Sequence, residues 1–363
     1  MHPASPRFAS NALAFFISCT LLIGCASGGS QLAPAQPMTR NAFSSALSAG
    51  DVDERETTLA GTAGPNLYVA NTGNNTVTVY RRGSTTLLRT ISQGIDGPIA
   101  LAFGRSGELF VANDQANTVT VYASGSTSVL RTISGLDYPD ALAVGNSGNL
   151  YVANGNANTV TVYGPGGRSP LRTISQGIDS PQHLAIAASG NLFVANVNSH
   201  TVTVYRRGST TLLRTISQGV SVPTALAFDG NNNLYVANCG ANCGGSGNGT
   251  VTVYAPGSTS VLRTISEGMN RPTALAINAS GKLFVANDLA NTVTVYAPGS
   301  TSVLRTISQG ISNPVGLTLS NSGALFVTNS TANDVTVYAK GRSAVLRTIS
   351  QGVNNPRSPA FGP

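Results

Sequence analysis

The chain has 363 residues and a formal charge of +7, from 21 Lys+Arg against 14 Asp+Glu, yet only 10% of its residues are charged and 40 are glycine. With Thr and Asn also abundant and no long helical pattern, this is the composition of an all-β protein dense in turns, and it argues against a helical bundle. The basic residues are dispersed: Arg89, Arg131, Arg172, Arg214, Arg263, Arg305 and Arg347 recur once per repeat, which reads as a ring of solvated arginines at the rim. No aromatic-and-basic stacking surface or recognition module accompanies them, so no nucleic-acid partner is expected.

Residues 1–24 read as an export signal, with Arg7 near the start, an apolar stretch from Ala12 to Ile23 and small residues at the end. That stretch is short for a membrane span. It closes on Leu22-Ile23-Gly24-Cys25, which resembles the lipobox of bacterial lipoproteins. The resemblance implies cleavage before Cys25 and lipidation of its thiol, with acyl chains anchoring the protein to a membrane. Ala26 follows the cysteine where an Asp would suggest inner-membrane retention, so the expected location is the outer membrane, facing the periplasm or the cell surface. Residues 25–64 are rich in Ser, Ala, Gly and Pro, carry acids at Asp51, Asp53, Glu54 and Glu56, and read as a flexible tether.

From 65 to 363 the chain repeats. Leu-Tyr/Phe-Val-Ala-Asn begins at Leu67, Leu109, Leu150, Leu192, Leu234 and Leu283 and returns as Leu-Phe-Val-Thr-Asn at Leu325, with spacings of 42, 41, 42, 42, 49 and 42 residues. A fixed period in this range means one supersecondary unit per repeat. The second repeat shows four apolar runs, Ile99 to Phe103, Leu109 to Asn113, Thr118 to Tyr122 and Leu130 to Ser134, separated by turn residues. Four strands per repeat make a propeller blade, so seven repeats predict a seven-bladed β-propeller of four-stranded antiparallel blades, expected to act as a monomer. The first repeat lacks its opening strand, while the C-terminal Pro356 to Phe361 aligns with Pro98 to Phe103. The C-terminal strand is therefore expected to pair with Leu67 to Asn71 and close the ring, with Thr57 to Ala63 as the rival for that place.

These strings, Leu-Tyr-Val-Ala-Asn followed by Asn-Thr-Val-Thr-Val-Tyr, resemble those of the bacterial YVTN and NHL-like β-propellers over Leu67 to Phe361. The resemblance implies the fold. It leaves function open, because function lives in sites grafted on such scaffolds.

The residues after each strand-opening proline differ while their surroundings repeat: Ile99, Asp140, Gln182 with His183, Thr224, Thr273, Val315 and Arg357. They are expected to line the mouth of the central channel as a ligand-binding face, extended by the loop from Cys239 to Gly249. Only Asp140, His183 and Arg357 among them offer acid–base or charge chemistry. The expected function is a binding or scaffolding module for a protein, peptide or glycan, with no cofactor. The alternative is a propeller hydrolase or lyase, similar to gluconolactonases or virginiamycin B lyase, using His183 and Asp140. Seven extra residues in the fifth repeat carry Cys239 and Cys243, which in an exported chain read as a disulfide. A zinc or copper site built from those two cysteines with His183 and His200 is the alternative. The repeated Asn that ends each second strand, and the tyrosines Tyr80, Tyr122, Tyr163 and their equivalents, read as turn-formers and inter-blade packing.

Overall fold

A computed structural model describes residues 64–240, 243 and 249–363; the leader, Cys25, the tether and the rival strand at Thr57 to Ala63 lie outside the described residues. The repeats form seven four-stranded antiparallel sheets, each one blade. Blade 1 combines Pro356–Gly362 with Asn66–Asn71, Thr76–Tyr80 and Leu87–Ile91; blade 2 comprises Pro98–Phe103, Leu109–Asn113, Thr118–Tyr122 and Val129–Ile133. Blades 3 to 7 open at Pro139, Pro181, Pro223, Pro272 and Pro314 in the same way. The fourth strand of blade 2 starts one residue earlier than its sequence suggested, at Val129. Each innermost strand packs between those of its two neighbours, and the C-terminal strand does so between blades 7 and 2, so the ring is closed. Among the described residues no helix is long and apolar enough to cross a membrane.

The core lies between blades rather than within one. The second strands and the Thr-Val-Thr-Val-Tyr third strands are buried almost throughout, and each apolar cluster draws on two adjacent sheets, as where Ile99, Phe110 and Val121 meet Leu142, Val152 and Tyr163. β-Branched residues suit this sandwiching, and each fully buried side chain contributes about 1.5–3 kcal/mol of transfer free energy. The third-strand tyrosines also act as brackets. Tyr254, for instance, donates its hydroxyl to the Gln218 carbonyl at 2.6 Å in the loop leading into its blade, while the Gln218 Oε1 accepts the Val261 amide of the fourth strand.

The repeated Asn does more than shape its own turn. Fully buried Asn113 donates to the Val111 carbonyl and to the hydroxyls of Thr118 and Thr120, and accepts the Asp96 amide from the loop leading into the blade. It ties the second strand, the third strand and the incoming chain together. The arginines of the fourth strands are less solvated than the sequence suggested, six of them half-buried and one buried. Arg131 is buried and paired with Glu108 at 2.9 Å, and Arg89, Arg131, Arg214, Arg263 and Arg347 lie over the Tyr or Phe ring of their own second strand, 5.7–5.9 Å from its centroid. A guanidinium is weakly hydrated and stacks on such faces, so it packs where a lysine would stay in water.

Closure is specific. Leu67, Tyr68 and Val69 pair with Phe361, Ala360 and Pro359, the Tyr68 hydroxyl donates to the Pro363 carbonyl at 2.7 Å, and Phe361 meets Phe326 of blade 7 edge to face. Gly316 of blade 7 lies so close to Pro359 and the Arg357 carbonyl that a Cβ there would collide with both.

Candidate functional site

The first strand of every blade carries a bulge just after its opening proline, as between Pro139 and Ala141 or Pro181 and Ala195's partner His183. The bulged residue is the variable one: Ile99, Asp140, Gln182, Thr224, Thr273, Val315 or Arg357. A bulge leaves a residue outside the ladder and re-aims its side chain, which is why these positions tolerate change in an otherwise copied sheet. Two further variable positions meet it within each blade, because the residue after the conserved Asn donates its amide to the carbonyl of the residue before the proline. Asp114 pairs so with Gly97, Gly155 with Tyr138, Cys239 with Val222 and Asp288 with Arg271.

Most of these side chains are spent on the scaffold. Ile99 and Val315 are buried in the apolar core. Thr224 and Thr273 are each buried and donate their hydroxyls at 2.8 Å to the first-strand proline carbonyl of the next blade, Pro272 and Pro314 respectively. Gln182 is half-buried. His183 is 1% exposed and accepts the Leu226 amide of blade 5 at its Nδ1, leaving Nε2 buried with no partner; burial pulls its pKa down to about 4, so it is a neutral imidazole. His200 takes the place of an asparagine. Its left-handed φ of 54° matches the 55° of Asn117 and 54° of Asn158 at the equivalent turns, and its Nδ1 accepts the Val222 amide as their Oδ1 atoms accept those of Tyr138 and Ser180.

Cys239 and Cys243 are bonded to each other, with their Cα atoms 5.2 Å apart. Among the described residues no three His, Cys, Asp or Glu side chains converge as metal ligands. Both sulfurs are consumed and both Nδ1 atoms hold backbone amides, so the four-residue zinc or copper arrangement is not assembled. The loop is instead fastened from blade 6, where buried Arg271 holds Asp288 through Nε at 2.6 and 2.7 Å and donates to the Cys243 carbonyl.

The structure links Asp140 and Arg357 through two residues that the sequence reading passed over, Asp114 and Tyr138, each of which interacts with both. Asp114, which follows the second strand of blade 2, Tyr138 and Asp140 of blade 3 and Arg357 of blade 1 form one electrostatic group across three adjacent blades. The Tyr138 phenol hydrogen-bonds to Asp114, and burial, reinforced by the charges of Asp114 and Asp140, pushes that phenol up to about 12. Burial raises Asp114 despite the opposing Gln115 amide and Arg357. Burial also raises Asp140 well above the usual carboxylate range, and Asp114 pushes the same way. Arg357 is itself lowered by burial and supported by Asp114 and Tyr138. Asp140 is 4% exposed, and its Oδ1 and the Oδ1 of Asp114 are buried without partners.

One signal for this group was present in the chain. The spacing of 41 reflects a loop in which five residues separate Ile133 from Pro139, where six separate Ile91 from Pro98. The shortened loop loses the residue that brackets the other blades, Gln in five of them and Glu267 in blade 6. Six third-strand tyrosines donate to a carbonyl of the preceding loop, and six conserved Asn side chains accept an amide from it. In blade 3 Asn154 Oδ1 is left buried without a partner. Tyr138 has a φ of 56°, in line with the residue before the opening proline of every other blade, from Gly97 at 64° to Asn355 at 46°.

The family model described as a seven-bladed β-propeller lactonase matches residues 126–229, a span that includes Tyr138, Asp140 and His183. No curated protein matches the chain. Among solved structures, a functionally unknown protein from Desulfotomaculum acetoxidans is similar with a TM-score of 0.68 at 16% identity, covering 82% of this chain and 99% of its own. Virginiamycin B lyase from Staphylococcus aureus is similar with a TM-score of 0.63 at 11% identity, covering 81% and 92%. Hydrazine synthase from Kuenenia stuttgartiensis is similar with a TM-score of 0.66 at 17% identity, covering 76% and 92%. At these identities the likeness is one of fold.

Proposed function

We propose that this chain is an exported, lipid-anchored propeller that serves as a binding module, taking its ligand at the strand ends of blades 1 to 3. One observation carries the reading: of the varied positions around the ring, the group formed by Asp114, Tyr138, Asp140 and Arg357 combines buried charge with hydrogen-bonding atoms that the fold does not satisfy. Elsewhere Thr224 and Thr273 clasp the next blade, Ile99 and Val315 join the apolar core, and His183 holds the Leu226 amide. Buried polar groups are ordinarily paired, so unpaired ones at a varied position point to a partner from outside. The test is binding of the purified chain to arrayed peptides and glycans. Capture should be lost in Asp140→Ala and Arg357→Ala and kept in His200→Asn; capture indifferent to the first two substitutions overturns the reading.

The lactonase-model match over 126–229 favours a second reading, a hydrolase or lyase acting at the same place. Against it, His183 and Asp140 are engaged apart: the imidazole turns to Leu226 of blade 5 while Asp140 interacts with Asp114 of blade 2. Turnover of a lactone panel that Asp140→Asn abolishes would replace the binding reading with this one.

Lipidation at Cys25 and an outer-membrane location belong to the same proposal, supported by the Leu22 to Cys25 string. Metabolic labelling with an alkyne-bearing fatty acid should mark the wild-type chain and not Cys25→Ala; equal labelling of both removes the anchor from the reading.

A further inference from the structure

We infer that the face of the ring opposite the proposed ligand site docks on an anionic lipid bilayer. The inference goes beyond the binding reading and uses none of its residues. The strand register sets two turns of each blade at one end: in blade 2 Phe103 faces Leu109 and Tyr122 faces Val129, while Asn113 faces Pro98 and Thr118 at the other end. The turns that join first to second strands and third to fourth strands therefore share one face. They meet from blade to blade, since a Cβ on Gly107 would strike Pro363 of blade 1 and crowd Ser124 of its own blade, and the Ala188 amide of blade 4 donates to Asn232 of blade 5.

The fold sorts its charges between the two faces. Residues 64–363 hold 18 Lys and Arg and ten Asp and Glu. Nine of the cations lie in the turns just described, and seven of these are exposed, among them Arg81, Arg105, Arg168, Arg206, Arg207 and Lys340. Every negative group on that face is held by the fold: Glu108 pairs with Arg131, Asp229 accepts the amides of Asn231 and Asn233, and the chain end at Pro363 accepts the Tyr68 hydroxyl. The other eight acids lie at the opposite ends of the strands and in the loops there, with Arg271 and Arg357 as the cations among them. A five-residue strand is about 16 Å long, beyond the Debye length of about 10 Å at 0.1 M salt, so the acids of one face do not cancel the field of the other.

Two observations select a bilayer from among polyanions. The cations are spread around the ring over six blades, and among the described residues no aromatic side chain is exposed, so the stacking platform that a single nucleic-acid strand uses is missing. The chain also enters the fold at this face, because Asn66 opens its strand opposite Gly362. Whatever precedes Gly64, Cys25 included, is joined to the ring there. An acyl anchor on Cys25 draws this face to the membrane and leaves Asp140 and Arg357 turned away from it. Each cation held near an anionic surface then adds about fivefold to the binding constant.

The test uses the full chain carrying Cys25→Ala, so that no acyl chain contributes, with vesicles of phosphatidylcholine alone or mixed with phosphatidylglycerol. In about 0.1 M salt the mixed vesicles should bind at least about tenfold more tightly, and about 1 M salt should remove the difference. Amide exchange should slow in the turns at 81–86 and 206–211 and stay unchanged at 156–158. Arg81→Gln, Arg105→Gln, Arg206→Gln and Arg207→Gln combined should cost about tenfold or more in affinity with an unchanged urea midpoint. Asp179→Asn combined with Glu267→Gln, which makes the opposite face more positive, should bind as the parent does. Equal binding to both vesicles, indifference to the four arginine substitutions, protection at 156–158 instead, or tighter binding by the opposite-face pair overturns the inference. An oligonucleotide that displaces the chain from mixed vesicles at a phosphate concentration below that of the lipid assigns the face to nucleic acid and overturns it as well. None of these outcomes touches the ligand site, whose own variants decide it.

Discussion

Blades 3 and 6 place buried acids in the same corner of the same repeat and treat them in opposite ways. In blade 6 the residue before the opening proline is Arg271 and the residue after the conserved Asn is Asp288; the guanidinium meets the carboxylate through Nε at 2.6 and 2.7 Å, so its own scaffold opposes the upward push of burial. In blade 3 those positions hold Tyr138 and Gly155. The phenol goes to Asp114, the glycine makes room, and Asp140 is left with burial and a like charge acting in the same direction. A blade that answers its own charge is architecture, and one that leaves it unanswered keeps an energetic debt that a ligand can settle. Two side chains decide which.

The comparison breaks most sharply at Asp288. Asp288→Ala leaves Arg271 buried without its carboxylate and should cost about 3–5 kcal/mol, read as a lowered midpoint in urea with an unchanged slope. His183 stands between the two extremes, with Nδ1 satisfied and Nε2 not. Its folded pKa of about 4 lies below the unfolded value of 6.5, so the unfolded chain binds the proton more readily. The stability this contributes is fully present above about pH 6.5 and lost as pH falls towards about 4, a total near 3 kcal/mol. Denaturant midpoints from pH 7.5 to 4 should show that loss in the wild type and not in His183→Ala.

Asp140→Asn should behave in the reverse sense to Asp288→Ala and stabilise. Here the folded carboxyl titrates above the unfolded one, so its protonation supports folding at low pH and that support fades as pH rises from about 4 towards the folded pKa. The amide substitution should therefore change little at pH 4 and gain progressively above it, by about 1.4 kcal/mol for each unit that the carboxyl is raised. Equal stability of variant and parent at pH 8 would mean that Asp140 is satisfied after all. The smallest effect is expected at Tyr138→Phe, which keeps the ring and the left-handed backbone but removes the donor to Asp114, for a loss of about 1 kcal/mol in the same assay.

How far the chain could be read depends on what kind of information each residue carries. Leu67 to Asn71 and its copies, the Thr-Val-Thr-Val-Tyr runs and the unpaired Pro356 to Phe361 string report local patterning and period, and these suffice for four strands per blade, seven blades and the clasp between ends. Asp140 and Arg357 were recognisable as breaks in that period. Thr224 and Thr273 looked the same, and their hydroxyls are spent on the next blade. Asp114 and Tyr138 stayed hidden for the opposite reason: they lie on different blades from each other, and their meaning comes from a contact between blades. The short spacing before Leu150 was the trace they left.

By itself the amino-acid sequence determined the repeat, the strand content and the closure of the ring, because alternation, β-branching and turn residues act over a few residues and are copied with each unit. Only the tertiary structure decided which charged groups are buried and which of them meet. Those outcomes depend on neighbours 17 residues away or more or, for Arg357, at the far end of the chain, and desolvation and Coulomb interaction are set by distance in space.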